Sequence, residues 1–243
     1  MAEYRIGCAG WALTKASQAA FPAEGTHLQR YAGRFNAVEI NSSFYRPHRP
    51  ATYEQWAASV PAHFRFAVKV PKAITHDQRL VAADVLLDVF LEDATRLGEK
   101  LGCLLVQLPP SLAYDAPTVE LFFDDLRQRY HGTVALEPRH PSWFTADVAT
   151  LLSGYRVARV AADPAPVPPA AEPGGWPELV YVRLHGSPRM YYSAYEDSYL
   201  DKLAERLREA ATRAREVWCI FDNTALGAAT PNALGLLTRL SFG

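Results

Sequence analysis

Residues 37–45 read AVEINSSFY, an apolar run that carries Glu39 near its centre and Asn41 at its end. Side chains alternate between the two faces of a β-strand, so Val38 and Ile40 share one face while Glu39 and Asn41 share the other. The apolar face is typical of a strand that packs against helices. The polar face indicates either a buried structural ion pair or a ligand site at the end of the strand.

Eight short runs rich in Val, Ile, Leu or aromatic residues have the composition of strands. They lie at 4–8, 37–41, 65–70, 103–108, 133–138, 155–163, 179–185 and 217–223. Apolar residues at helical spacing predict helices over 84–100 and 196–215, and Thr230-Pro231 is typical of the start of a last helix. Weaker helical patterns cover 27–35, 52–59, 118–130 and 145–152.

Strands that alternate with helices predict parallel pairing through right-handed crossovers. The count of eight favours a single (β/α)₈ TIM-type barrel domain over residues 1–243. A dinucleotide-binding fold has no support, because no Gly-x-Gly-x-x-Gly follows the first strand. Residues 163–177 contain too many prolines for a regular helix, so the sixth crossover should be an irregular loop with at most a short turn.

The 243 residues are 49% hydrophobic and 21% charged, with a net charge of −1. A nucleic-acid ligand therefore receives no support from the net charge. The start of the chain lacks a signal-peptide pattern, and no apolar stretch is long enough to cross a bilayer. Cys8, Cys103 and Cys219 are far apart and sit beside apolar runs, which indicates reduced thiols. We predict a cytoplasmic protein without a membrane partner.

The same alternation places polar side chains on the inner face at the carboxyl end of most strands, where TIM-barrel enzymes carry their sites. Asp163 ends the sixth strand, and either Asp222 or Asn223 faces inward at the end of the eighth. Buried charges without partners cost several kcal/mol each, so a purely structural cluster of this size must be nearly complete. We therefore favour a ligand site, with some members acting as supports. The other inward residues are Lys69, Gln107, Glu137, Arg139, Tyr181, Arg183 and His185.

Seven motifs occur in an order that resembles the YecE-like family (domain of unknown function 72). They are GCAGW (7–11), VEINSSFYRPH (38–48), FAVKVPKAITH (66–76), LLVQLPPS (104–111), LEPRHPSW (136–143), YVRLHG (181–186) and FDNTALGAA (221–229). The resemblance runs from about residue 5 to 235 and implies a (β/α)₈ barrel. It implies no reaction, and it adds His76 to the candidate site residues.

Our first hypothesis is an enzyme that acts on a small anionic or sugar-like substrate. Glu39, Lys69, Glu137 and His185 are the candidate catalytic residues, because carboxylates, imidazole and amines transfer protons. Arginine and lysine side chains suit the binding of phosphate or carboxylate groups. The candidate substrate-binding residues are Trp11, Asn41, Tyr45, His76, Gln107, Arg139, Asp163, Arg183, Tyr192 and Asn223.

Three alternatives remain open at this level. A divalent-metal-dependent phosphoester hydrolase or nuclease would use carboxylates and His185 from several strand ends, although no compact metal motif occurs and no cofactor is predicted. A non-catalytic ligand-binding protein needs only the binding groups. A desolvated Lys69 would permit Schiff-base chemistry. The class of reaction, whether hydrolase, lyase or isomerase, stays unassigned.

Overall fold

Parallel strands, most of them followed by helices, make up the chain in the computed structural model, which describes residues 2–241. Met1 and residues 242–243, which the predicted domain includes, lie outside the described residues. The strands are β1 (Glu3–Cys8), β2 (Ala37–Ile40), β3 (Arg65–Lys69), β4 (Leu101–Gln107), β5 (Val134–Glu137), β6 (Val157–Arg159), β7 (Ala161–Asp163), β8 (Gly174–Gly175), β9 (Leu179–Leu184) and β10 (Glu216–Phe221). The helices are α1 (His27–Ala32), α2 (Pro50–Ala58), α3 (Asp84–Ala94), α4 (Ala116–Arg129), α5 (Ala146–Gly154), α6 (Asp197–Ala210) and α7 (Ala229–Ser241).

Every predicted strand and helix is present, with two notable changes. The predicted helix over 84–100 ends at Ala94 and continues as a 3₁₀ segment, Thr95–Lys100, which Gly98 interrupts with a positive φ of 57°. The predicted sixth strand is divided at Val160 into β6 and β7. Its crossover contains one 3₁₀ turn, Pro168–Ala171, as the prolines predict, and also the short strand β8, which was not predicted.

The strands form two hydrogen-bonded sheets, in the orders β1-β10-β9-β7 and β2-β3-β4-β5-β6-β8. All pairs are parallel except that of β6 with β8. Two connections link the sheets. An isolated parallel bridge joins Ala9 after β1 to Glu39 in β2, and Gly10 N donates to Glu39 O at 2.9 Å. The sixth strand pairs with β5 through its first half and with β9 through its second half.

The core divides into two layers that follow the alternation of the strands. Val38, Ile40 and the other residues predicted to face the helices belong to the larger apolar cluster between strands and helices. The opposite face carries a smaller cluster of mostly small side chains around the stacked rings of Tyr181 and Trp218, whose centroids lie 5.8 Å apart. Within residues 2–241, no helix combines the length and the apolar composition needed to cross a membrane.

Candidate functional site

Polar side chains at the carboxyl ends of the strands converge on the face opposite the helices. Five strands each contribute one polar side chain near their last residue: β2, β3, β4, β5 and β9. The other polar side chains belong to residues that directly follow β5, β9 and β10. The group forms because these strands are parallel, so that their carboxyl ends meet at one edge. We call it the strand-end cluster, and its members are Glu39, Lys69, Gln107, Glu137, Arg139, Arg183, His185 and Asp222.

Arg183 is the centre of the strand-end cluster and is completely buried. Its Nε and Nη2 atoms donate to the two carboxylate oxygens of Glu39, at 2.9 and 2.6 Å. Nη1 donates to Glu137 Oε2 at 2.9 Å, and Nη2 lies 3.2 Å from Asp222 Oδ2. Tyr181 adds a hydrogen bond from its hydroxyl to Glu39 at 3.1 Å. A guanidinium that is matched to three carboxylates in this way is compensated inside the protein and needs no ligand.

His185 bridges two of the same carboxylates. Its Nε2 lies 2.8 Å from Glu137 Oε1 and its Nδ1 lies 3.0 Å from Asp222 Oδ2. Because both ring nitrogens face carboxylate acceptors, the arrangement favours the doubly protonated imidazolium. Burial acts to lower the pKa of His185, but Glu137 and the hydrogen bond to Asp222 outweigh it and raise the pKa above the ordinary value.

The two bridged carboxylates have pKa values below the ordinary range. Burial opposes ionisation of both, but nearby positive charge outweighs it: chiefly His185 and then Arg183 at Glu137, and chiefly Arg183 at Asp222. Both carboxylates are therefore ionised at neutral pH, where they accept hydrogen bonds but donate none. Every carboxylate oxygen of Glu39 and Glu137 accepts at least one hydrogen bond within the protein, and both side chains are buried.

Lys69 differs from the other buried ions of the cluster. Among residues 2–241, no carboxylate oxygen lies within 4.0 Å of its Nζ, which instead sits 4.0 Å from the ring centre of Phe44. Burial and then the charge of Arg183 lower the pKa of Lys69 to about 8, although the surrounding carboxylates oppose the shift. The side chain keeps 5% of its surface exposed, whereas Glu39, Glu137, Arg183 and His185 keep none.

Gln107 and Arg139 complete the partly exposed rim of the cluster. Gln107 Nε2 donates to Glu137 Oε2 at 3.2 Å, and Arg139 Nε lies 3.5 Å from Glu137 Oε1. The Arg139 side chain keeps 10% of its surface exposed. The rim therefore presents one amine, one guanidinium and one amide towards solvent.

Trp11 and Asn41 lie beside the cluster and line a separate cavity of about 490 Å³. Trp11 packs edge-to-face on Trp56, with ring centres 5.1 Å apart. Asn41 Oδ1 is buried, and no donor reaches it from the part of the chain that the structure describes. These two predicted residues share a cavity but do not contact the buried ions.

Tyr45 and His76 approach the cluster through Phe44. Both rings pack edge-on against Phe44, with centres 5.0 and 4.9 Å from it. Tyr45 is largely exposed and borders a mostly apolar cavity of about 470 Å³. His76 Nδ1 is hydrogen-bonded to Thr75, and burial and then Lys69 lower the pKa of His76. Phe44 thus connects His76 with Lys69.

Two predicted residues lie outside the cluster. The Asp163 carboxylate accepts a hydrogen bond from the Tyr195 hydroxyl at 2.8 Å, so it faces the helix side of the strands. This happens because the alternation continues through Val160, which packs in the inner cluster, so that Asp163 three positions later lies on the helix side. Tyr192 lies on the surface, where the Arg189 guanidinium stacks 3.9 Å from its ring centre.

Asn223 also points away from the strand-end cluster. Of the two residues that could face inward at the end of the eighth predicted strand, it is Asp222 that does. The Asn223 amide donates to Asn232 and to the Ser193 carbonyl, both at 2.9 Å, whereas Asp222 contacts Arg183. Asp222 is in phase with the inner residues of β10, two positions after Ile220.

Sequence reasoning missed the site contributions of two tyrosines. Tyr181 was placed on the inner face but was given no role in the site, although a hydroxyl beside an inward glutamate was a usable signal. Tyr191, next to the predicted Tyr192, packs edge-on against His185 with ring centres 5.9 Å apart. It has a left-handed backbone (φ 69°), which is uncommon for a bulky residue and which no local pattern indicated.

The cluster does not have the arrangement of a metal centre. Across residues 2–241, no three His, Cys, Asp or Glu side chains are grouped so that they could hold an ion. The Arg183 guanidinium occupies the position between the three carboxylates that a divalent ion would need. The residues therefore do not fit the metal-dependent alternative.

The fold and the cluster define a class of protein: a parallel α/β protein with buried ions at the carboxyl ends of its strands. Residues 5–242 match the family described as "Protein of unknown function DUF72". The chain belongs to this family, as the seven motifs predicted.

Related sequences agree with this assignment. The chain is 32% identical to the UPF0759 protein YecE of Escherichia coli K12, over 58% of its own length and 54% of that relative. It is 24% identical to the UPF0759 protein YunF of Bacillus subtilis, over 98% of its own length and 94% of that protein. The chain thus spans about half the length of the YecE relative.

Two crystal structures of DUF72 family proteins have the same fold. The protein from Enterococcus faecalis superposes with a TM-score of 0.83 at 22% identity, covering 99% of this chain and 96% of that one. The protein from Thermotoga maritima superposes with a TM-score of 0.81 at 24% identity, covering 98% and 99%.

Proposed function

We propose that the chain is a single closed (β/α)₈ barrel domain over residues 1–243. The bridge between Ala9 and Glu39 supports closure between the first two strands. The pairing of the divided sixth strand with β5 and with β9 supports closure on the other side. Three buried free cysteines support a cytoplasmic location.

We further propose that the protein is an enzyme that binds a small anionic or sugar-like substrate, bearing a phosphate or carboxylate, at the rim of the strand-end cluster. The observation that carries this proposal is Lys69, a buried amine without a carboxylate partner beside a network that is otherwise complete. Burying an unpaired cation costs stability and adds nothing to the network. A ligand anion would supply the missing partner.

The charge balance of the cluster supports an anionic ligand. With His185 protonated and Lys69 ionised, four cationic groups face three carboxylates, which leaves one positive charge. The two cations nearest to solvent are Lys69 and Arg139, so we assign the binding of the anion to these two. We expected three residues to transfer protons: Glu39, Glu137 and His185. We now assign them the role of positioning residues that hold Arg183 beside Lys69.

Anion-dependent thermal stabilisation tests the proposal. Inorganic phosphate and pyruvate serve as probes, with sodium chloride at matched ionic strength as the blank. We expect both probes to raise the melting temperature of the wild type and of Lys72→Met, but not that of Lys69→Met. Lys72 is a matched control because its exposed ammonium is paired with Asp77 at 3.0 Å. Equal responses of all three proteins, or none, would refute anion binding at Lys69.

A further inference from the structure

We infer that Lys69 forms a covalent imine with its substrate, and that the substrate class is a small carbonyl compound that carries a carboxylate or phosphate. The inference rests on the proposed function, because the anionic group of that substrate would pair with Arg139 at the rim. It adds a covalent step that anion binding does not require.

The surroundings of Lys69 are unlike those of the other four lysines in the chain. Lys72 is ion-paired with Asp77, and the Lys100 ammonium donates to two backbone carbonyls, including that of Val60 at 2.6 Å. Lys15 and Lys202 are exposed and hydrated. Lys69 alone is buried without either a carboxylate or a hydrogen-bonded acceptor, within the described part of the chain.

Burial and then the charge of Arg183 favour the neutral amine of Lys69, against the opposing effect of the surrounding carboxylates. Arg183 is a permanent cation held in place by three carboxylates, and a fixed positive charge near a desolvated lysine makes the amine easier to deprotonate. Phe44 stabilises the ammonium form through its ring face, which lies 4.0 Å from Nζ, and so opposes this effect. With its pKa near 8, about 10% of Lys69 is neutral at pH 7, against roughly 0.03% of an ordinary lysine.

The proposed step balances without a co-reactant. The Nζ lone pair attacks the carbonyl carbon, the C–N bond forms, and the carbonyl electron pair moves to oxygen, which takes up the proton that Nζ then releases. The carbinolamine then loses its hydroxyl as water, with a second proton from solvent at the rim, and leaves a protonated imine. The positive imine withdraws electrons from the adjacent carbon, as lysine imines do in covalent catalysis.

Reductive trapping tests the inference. The wild type is incubated with pyruvate and sodium cyanoborohydride at pH 7, and the adduct is located by intact mass and peptide mapping. We expect one reduced adduct per chain, at least tenfold more on Lys69 than on any other lysine, and a trapping rate that rises with a midpoint near pH 8. Lys72→Met should behave as the wild type, whereas Lys69→Met should give no specific adduct.

The outcomes separate this inference from the proposed function. An adduct spread over the exposed lysines, or a rate midpoint near that of ordinary lysine, would overturn the imine. If pyruvate still stabilises the wild type through Lys69 in that case, anion binding stands without covalent chemistry. Lys69→Arg also separates anion binding from imine formation, because it keeps the positive charge but cannot form the imine. Trapping in that variant equal to trapping in the wild type would also overturn the inference.

Discussion

Replacing Arg183 by methionine should destabilise the protein by about 4 kcal/mol, because removing one partner from a buried ion pair leaves its counter-charges uncompensated. The guanidinium makes four contacts with Glu39, Glu137 and Asp222, between 2.6 and 3.2 Å, and has no exposed surface. His185 remains as the only fully buried cation beside them among the described residues. The three carboxylates must then take up protons or admit water.

Urea denaturation followed by tryptophan fluorescence measures the effect, since urea is uncharged and does not screen the ions. The free energy of unfolding of wild type and Arg183→Met should differ most at pH 7 and less at pH 5. In the wild type, the lowered pKa values of Glu137 and Asp222 contribute stability above their unfolded values, which is lost as the pH falls. Without Arg183 the unpaired carboxylates gain protons readily. The loss of unfolding free energy in the variant should therefore be smaller in acid.

Arg139→Met is the matched control. Arg139 makes one contact of 3.5 Å with Glu137 and is partly exposed, so its loss should cost no more than about 1 kcal/mol. If Arg183→Met also cost less than about 1 kcal/mol, Arg183 would not be the structural centre of the network. Arg183 would then be available to bind substrate, as the sequence predicted.

Two further predictions concern the partners of Arg183. The pKa of His185 is raised on folding, so its stabilisation is present below the unfolded value of about 6.5 and is lost as the pH rises through the folded value. In His185→Gln, the free energy of unfolding should therefore fall less between pH 6 and pH 9 than in the wild type, and parallel pH profiles would contradict this. Tyr181→Phe removes the hydrogen bond to Glu39 and should cost about 1.5 kcal/mol in urea denaturation, with Tyr192→Phe on the surface as the unaffected control. Equal stability of the two tyrosine variants would show that Glu39 does not depend on the hydroxyl.

The strands and their faces could be predicted because the alternation of side chains is a local property. Glu39, Lys69, Glu137 and Arg183 each sit among apolar neighbours that identify the buried outer face, and parallel strands bring their carboxyl ends together. The prediction was less accurate in the sixth strand, where valine and alanine occur on both faces and do not distinguish them. Val160 packs on the inner face, so Asp163 lies on the side of the helices.

The sequence by itself determined which charged residues gather at one edge of the sheets, because strand period and parallel pairing decide that. Only the tertiary structure decided how they are paired. Arg183 is hydrogen-bonded to Glu39, which lies 144 positions away in the chain. Arg183 thereby pairs with the carboxylates that could otherwise have paired with Lys69. Which ions pair depends on differences of a few tenths of an ångström in the distances between residues far apart in the sequence. No local sequence pattern specifies these distances. For that reason Lys69 emerges as the unpaired amine only in the folded protein.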